Sequence, residues 1–285
     1  MRGWRSTGCS RLAEPLGQSD VRRALAEDLA SGDVTTRLLG AAAARAAALR
    51  FVAEAPFVVA GLSVVELTFR ELDPQARIET HIADGAWAEP GVTVATVRAQ
   101  ARALLSGERV ALNFLQRLSG IATLTRRIVD AVAGTGAQIT HTRKTTPGLR
   151  ALEVYAVRMG GGVDNRASLA DAVLWKDNHW VLLEGTLADA LKAAPPGMPV
   201  MVEIENDVQL AAALTAGVTH LLVDNQTPDK VAAWAQTAGP RVTIQASGGI
   251  TADTARAYAE AGATLIAIGA LTHSAPAAAI RCELN

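Results

Sequence analysis

Residues 141–180, HTRKTTPGLRALEVYAVRMGGGVDNRASLADAVLWKDNHW, bring together the long cations Arg143, Lys144, Arg150, Arg158, Arg166 and Lys176. The acids Glu153, Asp164, Asp171 and Asp177 share the stretch. Thr142-Arg143-Lys144-Thr145-Thr146-Pro147-Gly148 follows an apolar-leaning segment, and Lys176-Asp177-Asn178-His179 follows the apolar Ala172-Val173-Leu174-Trp175. A cation at the end of a buried strand costs free energy unless an anion pairs with it. Each of these side chains taken singly fits an ordinary surface loop. Two such strand ends so close together point to an anionic ligand, a multi-carboxylate or a phosphate.

Two further groups carry chemistry. Ser247-Gly248-Gly249-Ile250-Thr251 lies between a strand and a helix. Glycines let the backbone approach an oxyanion, and the first helical N–H groups then point at it. Gly269-Ala270 supplies the next loop, and in β/α barrels the last two loops commonly bind phosphate. The plain alternative is a tight turn. Glu203 and Asp224 close consecutive strands, which lie about 4.8 Å apart, so their carboxylates can share a ligand or a hard cation such as Mg²⁺. Glu205 shares a strand face with Glu203, and alternation alone does not choose between them. Solvated loop-end acids are the plain reading of all three. The histidines at 81, 141, 179, 220 and 273 show no metal-ligand spacing. His179, just after Lys176, is the one placed to touch a ligand. No Ser/His/Asp or Cys/His grouping and no GxGxxG is present, so hydrolase and dinucleotide readings fall away.

The elements that must position these residues alternate in the second half. Apolar segments around 139–140, 172–175, 200–204, 221–223, 242–244 and 265–268 each end in polar or glycine residues, with helix-like stretches such as 208–215, 228–236 and 251–261 between. Alternating strands and helices predict a parallel sheet, and functional residues at strand C-terminal ends are what a β/α barrel places there. Six strands are too few for a closed eight-unit barrel, so an open, incomplete barrel is expected, with a flat doubly wound sheet as the rival. Earlier, residues 1–17 read as a loose arm, and Ser19 or Asp20 can cap a helix over 21–29. Strands are predicted at 49–54, 77–82 and 92–97, and Ser63 can cap an amphipathic helix over 64–72. A helix from about 102 to Gly120 and another over 121–132 follow. Arg109 adjoins the apolar stripe of the first, as a snorkelling edge residue or as one delivered to a ligand. The expected organisation is a mixed α+β N-terminal domain, 1–118, with the extreme C-terminus, about 276–285, packing back on it, and an open α/β barrel over 119–275.

Composition narrows the function classes. The 285 residues are 49% hydrophobic and 19% charged, with a net charge of −1. That balance gives no support to nucleic acid or an acidic membrane as partner, so any positive field is local. No apolar run approaches the roughly 20 residues of a membrane span, and MRGWRSTGCSRLAE has no apolar signal core. Only Cys9 and Cys282 occur, which favours a reducing compartment. The expected location is the cytoplasm.

With those residues laid out, the sequence resembles the quinolinate phosphoribosyltransferases, the carboxylating nicotinate-nucleotide pyrophosphorylases. The motifs that carry the resemblance are Thr142 to Gly148, Gly160-Gly161-Gly162, Lys176 to His179, Val202-Glu203-Ile204-Glu205-Asn206, Ala246 to Thr251 and Gly269 to Ser274. Glu27-Asp28-Leu29, Gly32 to Thr35, Gly107-Glu108-Arg109 and Asn113-Phe114-Leu115 match as well. The likeness runs in order from about residue 20 to the C-terminus. It implies that Arg143, Arg166 and Lys176 bind the carboxylates of quinolinate, in a homodimer or hexamer where Arg109 comes from the partner subunit. Lys144 and Lys176 would serve phosphoribosyl pyrophosphate, Glu203 and Asp224 its ribose hydroxyls and Mg²⁺, and Ser247, Gly248, Gly249, Gly269 and Ala270 its 5′-phosphate. Motif register favours Glu203 over Glu205. One position departs: the family carries His before the arginine equivalent to Arg166, and Asn165, preceded by Asp164, stands there. Asn keeps a hydrogen bond but cannot be a cation. The implied enzyme makes nicotinate mononucleotide, pyrophosphate and CO₂. A paralogue for another carboxylated heteroaromatic acid and a catalytically idle binding protein are the alternatives.

Overall fold

A computed structural model describes residues 14–285, so most of the arm read at 1–17, and Cys9 with it, lies outside the described residues. Helices α1 (Gln18–Leu29) and α2 (Val34–Arg37) lead through a 3-10 turn to strand β1 (Ala46–Ala53). Then come β2 (Phe57–Val58), α3 (Leu62–Leu72), β3 (Arg77–Thr80), β4 (Trp87–Ala88), β5 (Thr93–Gln100) and the long α4 (Ala101–Ala131). The capping residues differ from those expected. Gly17, in the left-handed region, precedes α1 without a side-chain cap. Gly61 precedes α3, and the carboxylate of Asp84 accepts from the Gly61 and Leu62 N–H groups. A residue distant in sequence thus replaces the local Ser63 cap.

Helix α4 does not break at Gly120, where the sequence had suggested an end. A Cβ at Gly120 would collide with the Pro276 carbonyl oxygen, so the glycine is there for close approach of the returning chain. Each of the two glycines of this helix, Gly107 and Gly120, costs only about 1 kcal/mol in helix propensity, which tertiary packing overrides.

The rest of the chain alternates: β6 (Gln138–Thr140), α5 (Arg150–Met159), β7 (Val173–Trp175), α6 (Asp177–Leu182), α7 (Leu187–Leu191), β8 (Val200–Ile204) and α8 (Asp207–Thr215). It continues through β9 (His220–Asp224), α9 (Pro228–Ala238), β10 (Thr243–Ser247), α10 (Ala252–Glu260), β11 (Leu265–Ala267), α11 (Ala270–His273) and β12 (Ile280–Leu284).

By internal contacts the chain forms two compact units. The first holds residues up to 126, 145–161 and 274–285; the second holds 127–144 and 162–273. The first unit has the antiparallel sheet β12-β1-β5-β3, with Leu49 opposite both Leu284 and Val97. Alternation along β1 and β5 puts Leu49, Phe51, Val97 and Ala95 into a core with Phe69, Leu104, Leu112 and Leu115. Phe51 and Phe69 meet edge-on, ring centroids 6.2 Å apart, a geometry worth roughly 1 kcal/mol beyond burial. Segment 145–161 is tied into this unit by Glu153. Its fully buried carboxylate accepts from Arg117 (2.9 Å), the Thr146 N–H (3.0 Å) and the Thr146 hydroxyl (2.8 Å).

The second unit has the six-stranded parallel sheet β6-β11-β10-β9-β8-β7. A single parallel bridge, Thr140 to Val163, adds an edge beyond β6, and the sheet does not close between that edge and β7. The barrel is therefore open, as expected, and not a flat doubly wound sheet with a switch in strand order. Among the described residues no helix is long and apolar enough to cross a membrane.

Candidate active site

The parallel register decides which side chains meet. Glu203 on β8 pairs with Leu222 on β9, and Leu222 with Gln245 on β10; one step up, Asp224 pairs with Ser247 and Ser247 with Ala267. Residues two apart on a strand share a face. Two rows of side chains thus point into one cavity of about 310 Å³ at the carboxyl ends of the strands. Of the residues singled out in the sequence, Arg143, Lys144, Asn165, Arg166, Lys176, Glu203, Asp224 and Ser247 line it.

Its cationic flank is short of anions. Arg166 is only 8% exposed, and burial, then the neighbouring Arg143, lowers its pKa, against the pull of Asp171 and Glu203. Its guanidinium reaches the Ala172 carbonyl at a long 3.5 Å. Arg143 Nε is buried and has no hydrogen-bond partner among the described residues. Two neighbouring guanidiniums, one with an unmet Nε donor, form a receptor for planar anions. Lys176 Nζ lies 2.7 Å from Glu203 Oε2, and Glu203 is 4% exposed. The Glu203 carbonyl accepts from Trp180 Nε1 (2.9 Å), fastening α6 to the end of β8.

Asn165 is committed to the backbone. Its Nδ2 donates to the His141 carbonyl (3.0 Å), its Oδ1 accepts from the Arg166 N–H (2.8 Å), and its own N–H donates to His141 Nε2 (3.2 Å). The side chain shapes the turn that presents Arg166.

Opposite lie acids and glycines. Asn225, at φ 53°, donates from Nδ2 to Asp224 Oδ2 (2.5 Å) and from its backbone to the Ser247 carbonyl (2.9 Å). A Cβ at Gly248 (φ 96°) would run into Asn225, so this glycine is required for both its torsion and its fit. Gly249 also has positive φ, at 61°. A Cβ at Gly269 would stand 3.1 Å from the Lys144 Cδ, and the Thr272 hydroxyl donates to the Lys144 carbonyl (2.8 Å). Ser247 and Lys144 line the cavity; Gly248 and Gly249 follow Ser247 directly, and Gly269 lies close against the Lys144 stem. Carboxylate oxygens of Glu203, Glu205 and Asp224 lie within 4.8 Å of one another, a hard-oxygen set that fits a divalent cation.

Two singled-out residues are placed elsewhere. His179 lies in a neighbouring recess with Arg143, Arg166 and Trp175, and its Nδ1 accepts from the Lys176 N–H (2.9 Å). It caps the start of its own helix. Arg109 lines a separate recess of the first unit with Glu27, Asp28, Asn113 and Phe114. Asn225, His141 and Gln245 organise or line the site without having stood out in the sequence. Gln245 alone left a trace: Thr243, Gln245 and Ser247 put polar side chains at every second position, on the face that proves to be internal.

Fold and cavity together define an open α/β-barrel protein with an anion-accepting small-molecule site at its strand ends. The chain belongs to the quinolinate phosphoribosyltransferase family: the profile of the quinolinate phosphoribosyl transferase N-terminal domain matches residues 33–119, and that of the C-terminal domain residues 121–283. It is 43% identical over 264 residues to the nicotinate-nucleotide pyrophosphorylase [carboxylating] of Mycobacterium leprae, covering 89% of this chain and 92% of that one. It is 40% identical over 253 residues to a probable nicotinate-nucleotide pyrophosphorylase [carboxylating] of Bacillus subtilis, covering 87% and 86%. Among solved structures, NadC from Streptococcus pyogenes superposes with a TM-score of 0.90 at 32% identity, over 97% of this chain and 99% of that one.

Proposed function

We propose that this chain transfers the phosphoribosyl group of phosphoribosyl pyrophosphate to quinolinate and releases pyrophosphate and CO₂, giving nicotinate mononucleotide. The observation that carries this is the single cavity in which Arg143, Arg166 and Lys176 face Glu203, Asp224 and Ser247. Arg143 and Arg166 hold the acceptor's two carboxylates and orient its ring nitrogen toward the anomeric carbon. As the bond from that carbon to pyrophosphate breaks, positive charge develops on the ribose, and the Glu203 and Asp224 carboxylates stabilise it. The nitrogen lone pair then forms the new bond to the sugar and the ring becomes a pyridinium. That charge takes up the electron pair released when the adjacent carboxylate leaves as CO₂, and a proton from water fills the vacated ring carbon.

Glu203, Glu205 and Asp224 would hold Mg²⁺, which when bound offsets charge on the pyrophosphate. Lys144, packed against Gly269, and Lys176 serve the donor's phosphates, and the Ser247-Gly248-Gly249 loop with Gly269 and Ala270 receives its 5′-phosphate. Arg109, lining its own recess, completes the site of a partner subunit in a homodimer or hexamer. The cytoplasmic location belongs to the same proposal and rests on composition.

The test is turnover by purified protein with Mg²⁺, phosphoribosyl pyrophosphate and quinolinate, following CO₂ and pyrophosphate. Pyrophosphate release with another carboxylated heteroaromatic acid alone would select a paralogous activity. Binding without turnover would select an idle pocket.

A further inference from the structure

Gln245 sits in the middle of β10, is 1% exposed, and lines the cavity floor. It lies in one transverse row with Leu222 and Glu203. At about 4.8 Å between neighbouring strands, Glu203 and Gln245 stand roughly 10 Å apart across that row, a span that fits a sugar ring with its substituents. Ser247, two residues on, shares Gln245's face and leads into the glycine loop.

The amide is held from one side only. Its Oε1 accepts from His220 Nε2 at 2.8 Å, while its Nε2, buried, has no hydrogen-bond partner among the described residues. Burial keeps the His220 ring toward its neutral form, against the pull of the Gln245 hydrogen bond. A neutral imidazole donating from Nε2 fixes which end of the amide faces it, so the NH₂ end is turned away from His220. Unpaired buried donors are costly, and fixing one in a ligand cavity implies a ligand acceptor.

We propose that Gln245 is a specificity-determining residue whose Nε2 donates to an oxygen of the phosphoribosyl donor, and that His220 is the positioning residue that orients it. This rests on the reading under Proposed function. The donor, rather than the acid, is indicated by position: Gln245 shares β10 with Ser247 and is one strand from Asp224, whereas Arg143, Arg166 and Lys176 follow β6, the bridge at Val163 and β7. An amide there offers a hydrogen bond without adding a third carboxylate beside Glu203 and Asp224, where an anionic substrate must enter.

The test measures KM for each substrate separately, and calorimetric binding of phosphoribosyl pyrophosphate with Mg²⁺ alone, in wild type, Gln245→Met, Gln245→Glu and His220→Phe. The expected result is a rise in KM and Kd for phosphoribosyl pyrophosphate on the order of tenfold in both Gln245 variants, smaller in His220→Phe, with KM for quinolinate within about twofold. Because Gln245→Glu keeps the side-chain shape, it carries the test should Gln245→Met fail to fold. Unchanged donor KM and Kd in folded Gln245 variants, or a rise confined to quinolinate, would overturn the assignment while leaving the activity standing. A wild-type protein that neither binds phosphoribosyl pyrophosphate nor turns over would overturn both.

Discussion

Lys176 Nζ and Glu203 Oε2 stand 2.7 Å apart at the ends of neighbouring parallel strands, the cation half exposed and the carboxylate buried. The pair couples the two flanks of the cavity: the ammonium that would meet an incoming anion is also the counter-ion of the acid that would face the ribose.

Glu203→Ala and Lys144→Ala should each lower kcat by about 100-fold or more, with the fold retained, because each removes a charge facing the developing transition state. Near-normal turnover in either removes that residue from its role. Lys176→Ala should in addition destabilise the protein by about 1–2 kcal/mol in denaturant titrations, less than for a fully buried pair because the lysine is half exposed.

Asn165→Asp should weaken the acid's binding while sparing the donor's. The aspartate keeps an acceptor for the Arg166 N–H but loses the donor to the His141 carbonyl and sets a negative charge against that oxygen. A rise of KM for quinolinate of about fivefold or more, with KM for phosphoribosyl pyrophosphate unchanged, is expected. Equal KM values would show that the turn holds without this bond.

Gly120→Ala, conservative by helix propensity, should destabilise the protein by about 3 kcal/mol, since the new methyl meets the Pro276 carbonyl. A melting temperature equal to or above wild type would contradict the close approach described for that helix.

His220 should make stability fall in mild acid. Burial depresses its pKa below the ordinary 6.5, so below that pH the unfolded chain takes up a proton that the folded chain resists. Its contribution is fully present above pH 6.5 and is lost as pH falls toward the folded value. The drop in urea midpoint between pH 7.5 and 5.5 should be smaller in His220→Phe than in wild type; identical drops would assign it to other groups.

Mixing Arg109→Ala with Arg143→Ala subunits, each inactive alone, should restore part of the activity if Arg109 serves a partner's site. No recovery in demonstrably mixed assemblies would confine Arg109 to its own chain.

The strand-end cations and acids were readable from the sequence because a parallel barrel converts chain order into spatial order: the last residue of each apolar segment lands on the same rim. Gly-Gly at 248–249 was readable for a similar reason, since few other residues accept those torsions. What escaped the reading depends on distant partners. Asp84 capping α3, Pro276 crowding Gly120, and Glu153 pairing with Arg117 join positions separated by more than local periodicity can report. His179, read from its position after Lys176 as placed to touch a ligand, lines a recess with Arg143 and Arg166, and its ring also caps the start of its own helix.

Strand β12 pairs with β1 across a stretch of chain that contains the whole second unit. During synthesis the first sheet therefore stays one strand short while residues 127–273 leave the ribosome, with the backbone donors and acceptors of β1 bare along one edge. A translation product stopping anywhere in that interval would carry an open template for pairing with other nascent chains, so premature termination of this protein should yield aggregate rather than a free-standing first unit.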